Sequence, residues 1–260
     1  MVSIKNLFEN DDVKTIEKRD NITVIEFQRD VSVNKYTAMD EYFAAEMNIK
    51  RRQTLIELRN SEFVTSAGAM QWTVGNVVGD FLGKAIKGSV TKESAAKPKY
   101  YGTGLLALEP TYSYILIEDV GTWNNGMVIE DGMFLACDGN IKTSVAMRSN
   151  ISSAVLGGEG LFNLKLVGNG LAVLESPVPR EELIEITLDN DQVKIDGNMA
   201  VAWSGSLSFT VEKSTKSLIG SAVAGEGFVN VYRGTGKLLM APVRPETVGN
   251  ILDYKTRVKV

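Results

Sequence analysis

The chain has 260 residues, 44% of them hydrophobic, enough to bury a sizeable core in one β-rich domain or two smaller ones. Its 28 basic side chains stand against 32 acidic ones for a net charge of -4, so no whole-molecule field draws it to nucleic acid or an anionic membrane, and any such contact must be local. Histidine is absent, which excludes Ser-His-Asp and Cys-His arrangements, the HExxH zinc site and histidine-based metal centres.

The N-terminal MVSIKNLFENDD lacks the apolar core of a signal peptide, and no run of about 18 apolar residues follows it. A cytoplasmic chain is expected, at most peripheral at a membrane. Residues 1–41 are assigned to an N-terminal strand (ITVIEF) and a short helix. In YTAMDEYFAAEM, Tyr36 to Met47, the residues Met39, Tyr42, Phe43 and Met47 fall on one side, which predicts a helix packing that side into the core. Later segments such as LFNLKLV, LIEITL, SLSFTVE and KLLMAP are rich in β-branched or aromatic residues and bounded by Gly, Asn, Asp or Pro, the pattern of strands.

Internal repeats organise the rest. YYGTGLLALEP (100–110) returns as LVGNGLAVLESP (166–177) and YRGTGKLLMAP (232–242), with the pairs Gly102/Gly104, Gly168/Gly170 and Gly234/Gly236 at a 66-residue spacing. A phosphate-cradling glycine motif must follow a strand and open a helix. Here each pair is followed by a β-like run and then proline, so the glycines are expected to permit a turn or a close approach of backbones. Asp131-Gly132 and Asp196-Gly197 lie between alternating apolar segments and predict hairpins, with Arg59-Asn60-Ser61 at the corresponding place in the first copy. Gly139 and Gly205 are again 66 apart, and Gly68 of SAGAM is taken as their first counterpart. That choice leaves 34 residues from Gly68 to Gly102 against 29 in the later copies, hence a five-residue insertion near 74–92.

The expected fold is therefore mainly all-β: three related β-repeats (42–112, 113–178 and 179–244) forming a β-sandwich or double-stranded β-helix-like core. One short N-terminal helix precedes them, and a basic tail (245–260) follows in one compact unit. Within the insertion, Val77, Val78, Phe81, Leu82 and Ile86 follow helical spacing but are interrupted by Gly75, Gly79, Gly83 and Gly88, each costing a helix about 1 kcal/mol relative to alanine. Such a segment orders against a surface, and these five apolar residues are the candidate interaction surface. Cys137, the one cysteine, reads as a small buried hydrophobe.

RRQTLIEL, AGAMQWTVGN, DGMFLAC, GEGLFNLKLVGNG, ESPVPREELIE, AVAWSGSL and GEGFVNVYRGTGKLLMAPV together closely resemble bacterial members of the altered-inheritance-of-mitochondria family, over about residues 36–243. The resemblance implies three related β-units with a fold like the tryptophan RNA-binding attenuator protein, and no established enzymatic role. Eukaryotic relatives are associated with the mitochondrial inner membrane and its cristae-organising machinery, which implies a membrane-linked organising role. No catalytic, cofactor-binding or metal-binding residue is expected. Glu159 and Glu226 recur in two GEG turns, and Glu109 and Glu175 share a repeat position that becomes Ala241, recurrence that points to shared turn geometry. No basic stripe recurs beside the paired glycines, so nucleic acid is not an expected partner. Two readings stay open: a non-catalytic scaffold or interaction protein with a protein partner or membrane surface, itself a candidate homo-oligomer; or a small-ligand or RNA-binding module of the attenuator type.

Overall fold

The computed structural model describes residues 3–82, 97–147, 162–213 and 228–243. A hairpin of β1 (Val13–Arg19) and β2 (Ile22–Phe27) leads into α1 (Ala38–Glu46). The first repeat then supplies β3 (Arg52–Thr65), β4 (Met70–Leu82) and β5 (Lys97–Leu108). The second supplies β6 (Tyr114–Asp119), β7 (Met127–Ile129), β8 (Phe134–Asp138), β9 (Lys142–Met147), β10 (Phe162–Val167) and β11 (Leu171–Ser176). The third supplies β12 (Ile184–Asp196), β13 (Ala200–Ser204), β14 (Ser208–Lys213) and β15 (Phe228–Met240). These form two curled antiparallel sheets packed as a β-sandwich-like core, with one short helix, as the sequence predicts. The first runs β1-β2-β3-β8-β11-β6 with β5 joining β3 to β4; the second runs β12-β15-β13-β7-β10-β9 with β14 on β15.

Apolar side chains decide where the sheets meet. Leu116, Leu174 and Phe134 of the first sheet join Met127, Leu164, Val201 and Leu239 of the second in one buried cluster. Two further clusters fill the individual sheets, around Ile56, Phe63 and Leu106 in the first and around Ile195, Trp203 and Tyr232 in the second. Burial of such side chains contributes roughly 1.5–3 kcal/mol each relative to exposure, which selects these faces over any local preference.

All three repeats bend at the same level. Asn60, Asn125 and Asn190, spaced by 65, all adopt positive φ (55°, 59° and 51°), and two of them sit at register shifts in β3 and β12. Their backbone N–H groups in β3 and β12 donate to Thr103 Oγ1 and Thr235 Oγ1, at 3.2 and 2.9 Å. Each paired-glycine motif lies across from this bend. Gly102 has φ 125°, and a Cβ there would stand 2.1 Å from the Asn76 carbonyl oxygen; at Gly104 it would stand 2.0 Å from that of Val74. The motif is thus a corner where β5 presses on β4, needing both a glycine dihedral and the missing Cβ.

Three expectations are corrected. First, the Asp-Gly turns do not close hairpins: β7 pairs with β10 and β13 while β8 pairs with β3 and β11, so Asp131-Gly132 carries the chain from one sheet to the other. Asp196-Gly197 likewise joins β12 and β13, which lie on opposite sides of β15. The dipeptide supplies the positive φ of a tight turn, but the partner is chosen by which apolar face each strand must bury.

Second, Gly68 matches those turn glycines and not Gly139. Gly68, Gly132 and Gly197 share φ of 77°, 83° and 67°. The bonds Glu109 N–H to Ala69 O, Glu175 N–H to Met133 O and Ala241 N–H to Met199 O recur beside them, at 2.6–2.7 Å. The counterpart of Gly139 and Gly205 is Gly75, which faces Gly104. Gly75 precedes Gly102 by 27 residues, so the first repeat has no five-residue insertion there.

Third, Val74 to Leu82 is extended and not helical. It pairs with β5 continuously from Met70–Leu108 to Leu82–Lys97 apart from one register shift, and this ladder satisfies the backbone that four glycines make a poor helix. The rest of that segment, the GEG turns and the tail after Val243 lie outside the described residues.

Candidate interaction surface

Nine residues are too few for an isolated helix to persist in water, so α1 depends on its attachments. Asp40 and Glu41 in its first turn favour the helix dipole, and Asn48 ends it with a positive φ of 61°. The return N–H groups of Asn48 and Ile49 reach Ala45 O and Ala44 O, at 3.2 and 2.9 Å. Immediately after, Lys50, Arg51 and Arg52 carry the chain into β3.

Those three cations clamp the end of the helix. Arg52 is 2% exposed, and its Nη2 lies 2.8 Å from the Glu26 carboxylate of β2. The same nitrogen donates to Asn48 O at 3.1 Å and Asn48 Oδ1 at 3.2 Å, while the guanidinium sits 4.2 Å from the centre of the Tyr114 ring. Lys50 Nζ stands 3.7 Å from Glu26 and donates to Gln28 Oε1 at 3.3 Å. A second pair lies alongside: Arg51 Nη2 is 3.1 Å from Asp30, whose carboxylate also accepts from the Tyr112 hydroxyl. Burial first, and then the bond to Asp30, push the Tyr112 phenol well above its ordinary range, so it keeps its proton at neutral pH.

With its end held by charges, the helix buries none of its residues. Tyr36, Met39, Tyr42, Phe43 and Met47 are 59–80% exposed, which corrects the expectation that this face packs into the core. Leu7, Val13, Ile25, Leu55 and Ala107 form a buried cluster of their own that includes no residue of α1. Tyr42 and Phe43 meet edge-to-face with centroids 5.5 Å apart. Between the helix and residues 28–33 runs a groove of about 480 Å³, lined among others by Gln28, Val33, Ala38, Tyr42 and Lys50. Aromatic and thioether area clustered on an exposed helix, with a charged rim, is suited to recognition.

Of the candidates read from the sequence, Val77 and Val78 lie on opposite faces of β4. Val77 packs half-buried against the first sheet's cluster, whereas Val78, its neighbour in a strand, points to the other face and is 45% exposed. Phe81 and Leu82 lie in β4 opposite Pro98 and Lys97, and Ile86 lies outside the described residues. Gly168 and Gly170 link β10 to β11, while Gly234 and Gly236 lie within β15. The signal for the α1 clamp was partial: Glu26 is the one charge in ITVIEF, but Arg52 opens a strand that also carries Glu57, Arg59 and Glu62.

Cys137 is fully buried, and burial, reinforced by Asp138, pushes its thiol up to about 12. Among the described residues no group of three or more Cys, Asp or Glu is placed to hold a metal ion, and no helix is long and apolar enough to cross a membrane.

The model of the family described as mitochondrial biogenesis AIM24 matches residues 47–243, beginning where α1 ends. Among solved structures, the X-ray crystal structure of a protein from Streptococcus pyogenes is similar, with a TM-score of 0.56 and 24% identity over 80% of this chain and 95% of that one, a likeness of fold. No curated protein matches the chain.

Proposed function

This chain belongs to the mitochondrial biogenesis AIM24 family, and from that membership and the α1 surface we propose that it is a non-catalytic scaffold or interaction protein docking on a membrane surface or membrane-protein assembly. The observation that carries the reading is the α1 face: Met39, Tyr42 and Phe43 on the helix, with Tyr36 and Met47 flanking it, are large apolar side chains held outward beside the buried Arg52–Glu26 pair. An accidental exposure would have no need of so costly an anchor, since a buried ion pair contributes little net stability. Tyr, Phe and Met are side chains that partition favourably to an interface, and the whole-chain charge of -4 makes apolar contact the dominant attraction. The absence of histidine and the burial of Cys137 support a non-catalytic role.

The test is flotation with vesicles of zwitterionic lipid, with and without anionic lipid, and with membranes of a native lysate. Tyr42→Ser with Phe43→Ser is expected to abolish retention while moving the melting temperature by no more than about 2 °C, since neither side chain is buried. Retention unchanged in the double variant would overturn the reading. So would retention on RNA that falls steeply with salt, the mark of phosphate contacts.

A further inference from the structure

One wall of the groove beside α1 is backbone that the fold leaves unused. Gln28 N–H still donates to Asp12 O at 2.7 Å, but among the described residues Arg29 to Val33 make no backbone–backbone hydrogen bond. Val31 and Val33 are 67% and 37% exposed on that wall. From the other side α1 presents Ala38, Tyr42 and Ala45, at helical spacing, to the same cavity of about 480 Å³. A row of main-chain donors and acceptors set between apolar side chains is where an extended segment adds itself to a fold.

The charge around the groove is one-sided. Its two cations are engaged elsewhere, Arg29 with Asp12 at 2.7 Å and Lys50 with Glu26 at 3.7 Å. The helix adds Glu41 and Glu46 to the lining and carries no basic residue. Glu46 stands in the last turn, where the helix dipole disfavours a carboxylate, so helix stability does not account for it. Such a groove suits apolar side chains that bring positive charge with them.

We propose that the occupant is the chain's own basic segment 254–260, YKTRVKV, which lies extended along residues 29–33 and covers the Tyr42 side of α1. In an extended run Tyr254, Thr256, Val258 and Val260 fall on one side and Lys255, Arg257 and Lys259 on the other. The first set meets the valines and the helix, and the second the carboxylates of Glu41 and Glu46. The segment starts close enough. Ala241 N–H bonds Met199 O at 2.7 Å, the neighbouring Asn198 shares a small cavity with Ser113, and Tyr112 beside Ser113 bonds Asp30 on the groove. Residues 244–253 between Val243 and Tyr254 span up to about 33 Å when extended. The docked segment is thus a built-in competitor for the α1 surface; this consequence rests on the docking role proposed above, whereas the contact itself rests on the groove.

The test places a nitroxide on Val258→Cys in the full chain, where the fully buried Cys137 stays unlabelled, and reads paramagnetic broadening at the amides of Val33, Ala38 and Ala45. These signals are expected to lose at least half their intensity, by an amount unchanged on tenfold dilution. Reversing the charges, with Lys255→Glu, Arg257→Glu and Lys259→Glu, is expected to restore them. The same reversal, made without the label, should raise retention on zwitterionic vesicles about threefold or more, because the surface is no longer covered. Absent broadening, broadening that fades on dilution and so reports a second copy, or broadening indifferent to the reversed charges would each overturn the proposal. Broadening as expected, with no retention of either chain on any membrane, would uphold the docked segment and overturn the membrane reading of α1 instead.

Discussion

Gly102 and Gly234 have the same dihedral, φ 125°, at equivalent corners of β5 and β15, yet very different room for a side chain. Forcing alanine into that φ region costs on the order of 1–3 kcal/mol at either site. At Gly234 the new Cβ meets nothing nearer than Ser206 O at 3.4 Å, ordinary van der Waals contact, so Gly234→Ala should lose that amount and little more. At Gly102 it would stand 2.1 Å from Asn76 O and 3.2 Å from Asn76 C, both backbone atoms in a paired strand. β4 must move away by about 1 Å or lose its ladder with β5, and overpacking of this sort adds roughly 1–3 kcal/mol. Urea denaturation followed by tryptophan emission would measure both, with Trp72 in β4 close to the damage. At about 2–4 °C per kcal/mol, Gly102→Ala should also melt several degrees below Gly234→Ala. Losses equal within about 0.5 kcal/mol would refute the argument that close approach, beyond φ, requires glycine in the first copy.

Arg52→Met leaves the Glu26 carboxylate buried with only the more distant Lys50 and the Gln28 amide beside it, and should cost about 3–5 kcal/mol by calorimetry; adding Glu26→Leu should recover a large part of that loss. The Glu175 carboxyl is held above its ordinary range by burial, against the lowering effect of its bond to Thr111. Its folded form therefore binds a proton more tightly than its unfolded form, so this group's contribution is present at low pH and is lost as pH rises from 4.5 through the folded value. Glu175→Gln should stabilise the chain at pH 7 and have little effect below pH 4.5, measured as melting temperature against pH, whereas a gain independent of pH would refute the assignment.

Strand content, the recurrence of the paired glycines and the burial of Cys137 were all legible in the residues, because alternation, turn chemistry and side-chain polarity are local properties. So was the existence of α1, from four apolar residues at helical spacing. Which way that face points was not: it depended on Glu26 and Arg52, 26 residues apart, meeting beneath the helix end and holding it by charge. Val74 to Leu82 shows the same limit from the other side, since its spacing suits a helix and only the facing run from Lys97 to Leu108 makes it a strand. The Asp-Gly turns were located correctly but their strands were given the wrong partners. A dipeptide sets the dihedrals of a turn, while the destination of the two chains leaving it is set by which apolar surfaces, tens of residues away, must be taken out of water together.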